Sequence, residues 1–158
     1  MATEEGASSP PGTGTERAPA VDPRADYDYV SEEVERPDLV AALNRRLDGE
    51  VRFDTFTRQL YATDASAYEV TPIGVVFPRH TGDVAEAVGY CADHAIPVLP
   101  RGGGTSLAGQ TVNEAVVLDF TQHMDGLVEF DAEGRTARAQ PGLRLGDMNG
   151  ALAADGLK

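Results

Sequence analysis

Lysine is almost missing from this 158-residue chain: Lys158 is the only one, so twelve of the 13 basic residues are arginines, set against 26 Asp and Glu for a net charge of −13. Affinity for nucleic acid comes from Lys and Arg neutralising phosphates, and this balance excludes DNA or RNA bound on a generally basic face. A carboxylate-rich surface with guanidinium partners suits a protein that stays soluble in concentrated salt, and a halophilic source is expected. Cysteine is nearly absent too. With Cys91 alone there is no internal disulfide and no multi-cysteine metal centre; no metal site is read, a cytoplasmic location is expected, and Cys91 falls in a helical pattern where it reads as a small buried apolar group. No apolar run approaches the roughly 20 residues of a membrane span, and none near the start has the length of a signal peptide.

What is present divides the chain in two. Residues 1–35 scatter Pro10, Pro11, Pro19 and Pro23 among Gly, Ser, Thr and nine acidic against two basic side chains. That composition offers too little apolar surface to offset the entropy of ordering, and predicts a disordered acidic tail. From residue 36 to 158 the patterns become regular, and 41% apolar residues overall are enough for one core.

Pro37 and Asp38 open a helical run with Leu39, Val40, Leu43 and Leu47 that stops at Gly49. Another helical turn or two is expected over residues 53–62, and a strand over 73–77. Thr81 begins a helix in which Val84, Val88, Cys91 and Ala95 share one face, with Asp83, Glu86 and Asp93 elsewhere. Strands follow at 96–99 and 115–119, then a hairpin of 126–130 and 136–140 around 131–134, then a helix over 145–154. The order predicts an α+β arrangement.

Between two of those strands lies Pro100-Arg-Gly-Gly-Gly-Thr-Ser-Leu-Ala-Gly-Gln110. Consecutive glycines free backbone N–H groups, permit positive φ and remove the Cβ atoms that would keep a ligand from the main chain. Arg101 adds a charge, Thr105 and Ser106 hydroxyls, and Gln110 an amide, so an oxygen-rich anion such as a pyrophosphate is the expected ligand; a tight turn whose glycines serve geometry alone is the plainer alternative. Gly104 to Thr111 matches G-x-x-x-x-G-K-[ST] except at Gln110, where the phosphate-binding lysine is missing, and an apolar strand rather than a helix follows. A nucleoside triphosphatase loop therefore stays a third reading. The dinucleotide fingerprint fails at Leu107, where its third glycine would stand.

The runs VVFPRHTGDVAEAV, IPVLPRGGGTSLAGQ, VVLDFTQHMDGLVEFD and ARAQPGLRLGDMNGALAADGL resemble the FAD-binding domain of the p-cresol methylhydroxylase and vanillyl-alcohol oxidase flavoproteins. Within that family they are most similar to the FAD-linked dehydrogenases of D-2-hydroxy acids, and the lead-in LYATDASAYEVTPIGVVFP, with Tyr61, Asp64, Ala65, Ser66 and Pro72, is similar to the same group, including long forms with an iron–sulfur domain. The resemblance implies a two-lobed FAD-binding domain, of which this chain supplies the first lobe and the start of the second. It implies that Pro100, Arg101, Gly102, Gly103, Gly104, Thr105, Ser106, Gly109 and Gln110 bind FAD, with Pro141 and Gly142 returning the chain past it; for these last two a strand-ending turn is the alternative. It further implies hydride transfer from a small D-2-hydroxy acid such as D-lactate, glycolate or D-2-hydroxyglutarate to the flavin, with an electron acceptor that the sequence does not name.

Members with covalent flavin often carry histidine after the glycines, where this chain has Thr105, so FAD is expected to be non-covalent. His80, His94 and His123 read as surface or capping residues, and Tyr27, Tyr29, Tyr61, Tyr68 and Tyr90 as packing or surface residues. No catalytic residue is assigned, and the chain alone is expected to be inactive, with Leu145, Met148 and Leu152 partly exposed. A non-catalytic nucleotide-binding module is the alternative function.

Overall fold

The structure, a computed structural model, describes residues 36–157; the tail over 1–35, with Tyr27 and Tyr29, and Lys158 lie outside the described residues. A four-stranded sheet is built from β1 (Glu50–Arg52), β2 (Gly74–Phe77), β3 (Val98–Arg101) and β4 (Val116–Asp119), in the order β1-β2-β4-β3. β1 runs antiparallel to β2, whereas β2, β4 and β3 are parallel. Every residue of β4 is buried. A parallel strand covered on both faces reads as an unbroken apolar run, which is why Val116 to Leu118 and Val75 to Val76 stand out in the sequence.

Helix α1 (Pro37–Asn44) places Pro37 in its first turn, where the missing N–H costs nothing, and buries Leu39 and Leu43; Leu47 joins the core from the turn beyond. α2 (Thr55–Leu60) is capped by Asp54, whose carboxylate accepts the Thr57 N–H at 2.8 Å. α3 (Thr81–Asp93) crosses from β2 to β3, with Ala87 and Cys91 fully buried against Val76, Val116, Leu118 and Ile96. Burial raises the Cys91 thiol above its ordinary range, in keeping with an unreactive core group.

The buried stripe of α3 differs from the expected one: it runs through Asp83, Ala87 and Cys91, while Val88 is 42% exposed. The helix is rotated because Asp83 has partners inside. Its Oδ1 accepts the Asp48 N–H at 2.9 Å and its Oδ2 the Arg79 N–H at 2.8 Å, while its own N–H donates to His80 Nδ1 at 3.2 Å. His80 is thus the N-cap. Asp48, His80 and Asp83 could surround an ion, but the buried carboxylate and the imidazole Nδ1 already accept backbone N–H groups. Ala95, expected on the buried face, is exposed with φ 51° because the helix stops at Asp93.

Strand β1 was not expected. Two of its three residues are the ion pair Glu50 and Arg52, 2.8 Å apart, and three residues show no alternation to read. The hairpin forms as β5 (Leu127–Asp131) and β6 (Thr136–Ala139), its turn held by Asp131 Oδ1, which accepts the Glu133 and Gly134 N–H groups at 3.1 Å. All of β6 is exposed. Helix α4 (Leu145–Leu152) follows, extended by a 3-10 turn over Ala153–Asp155. Leu145 is 66% exposed and Met148 half-buried, but Leu152 is buried, lining with Phe130 and Ala137 a hollow against the hairpin.

Candidate functional site

The glycine-rich segment leaves the C-terminal end of β3 and must travel back to begin the parallel strand β4. It therefore hangs over the carboxyl ends of parallel strands, the edge where ligands of open α/β sheets bind. Pro100 belongs to β3 itself; as the last strand in the sheet order, β3 can spare the N–H that proline lacks.

The glycines do different things. Gly104 has φ +65°, and a Cβ there would lie 2.5 Å from Arg101 Nη2; Gly109 has φ +77°, and a Cβ would lie 2.7 Å from the Tyr68 ring. Both are demanded by the chain's own geometry. Gly102 and Gly103 are not. Neither has positive φ, and a Cβ on either would meet its nearest atom, Pro141 O or Thr105 Cγ2, at an ordinary 3.7 Å. Among the described residues the backbone N–H groups of 102–107 donate to no protein acceptor, and the Thr105 hydroxyl has no partner. A run of unspent N–H groups over bare Cα atoms, with a left-handed residue inside it, is the form of an anion cradle. The residues present fit a pyrophosphate.

Other expected donors are occupied. Arg101 Nη1 donates to the carbonyls of Tyr61 at 3.2 Å and Thr111 at 3.0 Å, and Nη2 to that of Thr63 at 2.8 Å, with the guanidinium 5.0 Å over the Tyr61 ring. Its fork braces the loop from behind. The Ser106 hydroxyl donates to Gln110 Oε1, and the Gln110 N–H returns to Ser106 Oγ at 3.3 Å, closing the far end of the loop on itself. Pro141 is brought beside Gly102. Gly142 is there for packing: its N–H donates to Met124 O at 2.9 Å, and a Cβ would strike Phe120 O at 2.2 Å.

Two carboxylates support the loop that site reasoning did not single out. Asp64 accepts the Ser66 N–H at 2.8 Å, the Thr111 hydroxyl at 2.9 Å and the Thr111 N–H at 3.4 Å. These bonds, Ser66 foremost, hold its pKa down to about 2. Asp119, buried at the end of β4 opposite Arg101, accepts the Tyr61 hydroxyl at 2.5 Å and the Thr121 N–H and hydroxyl at 2.7 Å each. Burial, then Asp119, raises the Tyr61 phenol well above its ordinary range. The pairings of Asp64 with Ser66 and of Asp119 with Thr121 were available locally; those of Asp64 with Thr111 and of Asp119 with Tyr61 span 47 and 58 residues of chain. The histidines are placed elsewhere in the fold. His80 caps α3, His94 stacks on Tyr90 with ring centroids 4.1 Å apart, and His123 Nε2 lies 3.8 Å from Glu50 Oε1.

No described helix is long and apolar enough to cross a membrane. The chain is 33% identical over 137 residues to a D-2-hydroxyglutarate dehydrogenase of Pseudomonas putida, covering 84% of this chain and 14% of that protein. It is 36% identical over 102 residues to a glycolate oxidase subunit of Bacillus subtilis, covering 63% and 22%. This chain thus spans less than a quarter of the length of either relative. Among solved structures, p-cresol methylhydroxylase with substrate bound superposes with a TM-score of 0.60 at 20% identity, over 76% of this chain and 25% of that one, which establishes the shared fold. The profile described as FAD binding domain matches residues 72–158, more than half the chain, and takes in the cradle and the Pro141–Gly142 crossing: the chain belongs to the FAD binding domain family.

Proposed function

We propose that the N–H groups of residues 102–107 and the Thr105 hydroxyl hold the pyrophosphate of FAD, and that the chain serves as the flavin-binding part of an oxidoreductase acting on a small D-2-hydroxy acid. The observation that carries this is the pair Gly102 and Gly103, whose bareness the chain's own packing does not require. FAD, when bound, supplies the capacity to accept two electrons and a proton from a hydroxyl-bearing carbon. The residues here bind and orient. The cradle meets negative charge with fixed N–H dipoles, Pro141 borders it at Gly102, and Arg101 and Asp119 secure the strand ends beneath; no side chain of this chain is assigned to proton transfer.

The substrate class is supported by the names of the relatives, which act on D-2-hydroxyglutarate and glycolate. If the loop grips the pyrophosphate, ADP will compete with FAD for the protein and riboflavin will not, since riboflavin lacks the group that the cradle holds. Equal competition by riboflavin, measured as displacement of bound FAD fluorescence, would sink the assignment.

Attachment is non-covalent in this reading, because Thr105 offers a hydroxyl where a covalent link would call for an imidazole. Acid precipitation of flavin-loaded protein should therefore send all of the yellow colour into the supernatant; colour left in the pellet would refute it. A cytoplasmic location is supported by a single, buried cysteine. The −13 charge carried against arginine supports a salt-adapted surface, which predicts a melting temperature that rises with added KCl as like charges are screened.

A further inference from the structure

The cradle is tied at both ends by contacts that leave its row of free N–H groups untouched. Arg101, its first residue, donates to Thr111 O, where the chain turns back toward β4, and to the carbonyls of Tyr61 and Thr63. Asp64 takes the hydroxyl and N–H of the same Thr111, and next to it the Ala65 N–H donates to Gly104 O at 3.0 Å. Residues 61–66 thus form a bed on which Arg101, the left-handed Gly104 and Thr111, just past the loop, all rest.

We propose that Asp64 is a positioning residue: acting through Thr111, and together with Arg101, it sets the glycine loop in its ligand-ready shape before the anion arrives. This rests on the flavin reading of the loop. The physical reason is entropic. A segment with four glycines loses more backbone freedom on ordering than any other, and a loop already ordered in the free protein spares the ligand that cost. The sign of the effect separates this role from simple electrostatics. Removing a negative charge beside an anion site should by Coulomb's law tighten FAD binding, whereas loss of the latch should weaken it.

The test uses the full chain, flavin-free and flavin-loaded, with Asp64→Ala, Thr111→Val and the conservative Thr111→Ser. In the flavin-free protein, 15N order parameters of 102–107 should fall from about 0.8 to below about 0.6 in the first two variants. FAD should bind those two about tenfold more weakly, the scale of one lost hydrogen bond to a charged group. Thr111→Ser, which keeps the hydroxyl, should match wild type in both. If Asp64→Ala does not fold, Thr111→Val carries the comparison.

Unchanged order parameters in the folded variants would overturn the proposal. So would a loosened loop that bound FAD as tightly as before while Gly103→Val weakened binding. If Gly103→Val also left affinity untouched, the flavin reading would be what failed, and the proposal would fall with it.

Discussion

Gly103→Val should leave the melting temperature of the flavin-free protein where it is and weaken FAD binding by about a hundredfold, the equivalent of losing one or two charge-assisted hydrogen bonds. The free protein has room for the side chain: φ at Gly103 is not positive, and its Cβ would find only Thr105 Cγ2, at 3.7 Å. In the proposed site the valine would fill the space that a phosphate oxygen takes over the bare backbone. Gly104→Val should cost both properties. There the chain sits at φ +65° and the new Cβ would press into the Arg101 guanidinium at 2.5 Å, disturbing the fork that ties Tyr61, Thr63 and Thr111. A β-branched residue in that conformation costs about 1–3 kcal/mol of stability before any ligand is considered. Ala108→Ser, at an exposed position on the far side of the loop, should change neither. Titrating FAD into each variant by fluorescence quenching, beside thermal melts without flavin, separates the two glycines. A Gly103→Val protein with wild-type affinity would rule out the pyrophosphate assignment.

The second large effect is expected far from the ligand. Asp83→Ala should destabilise the fold by about 3 kcal/mol, because it removes the acceptor of two part-buried backbone N–H groups, those of Asp48 and Arg79, at about 1–1.5 kcal/mol each, as for a hydrogen bond to a charged group at the edge of the core. Asp83 is 1% exposed and joins the start of α3 to the turn before β1 through both carboxylate oxygens. For a domain of this size that corresponds to a fall of roughly 10 °C in melting temperature. Asp83→Asn, which keeps one acceptor oxygen, should lose about half as much. A calorimetric melt within about a degree of wild type for Asp83→Ala would show that the two N–H groups find other partners.

Both predictions concern features that the sequence announced only in part. Three glycines between an arginine and two hydroxyls are legible as an anion loop because glycine's lack of Cβ is a property of the residue, wherever it sits. The sequence does not say which of the three is bare for the ligand and which for the fold. That depends on φ and on Arg101, whose charge reads in sequence as a phosphate contact but is turned back onto three carbonyls. α3 shows the same division. Its 3.6-residue period places Cys91 inside, but the choice between a Val84–Val88 stripe and an Asp83–Ala87 stripe was made by Asp48 and Arg79, whose N–H groups wait for a carboxylate.

The sequence by itself determined the apolar runs of β2 and β4, the existence of α3 and of the hairpin, and the glycine loop, because each is written in a local period or in residue chemistry. Tertiary structure decided the rest. β4 was inserted between β2 and β3, a three-residue β1 gained strand geometry only by pairing with β2, and Asp64 met Thr111 across 47 residues of chain. Such pairings depend on closing long loops and on which buried donors remain unpaired once the core has formed, quantities that no local window of sequence contains.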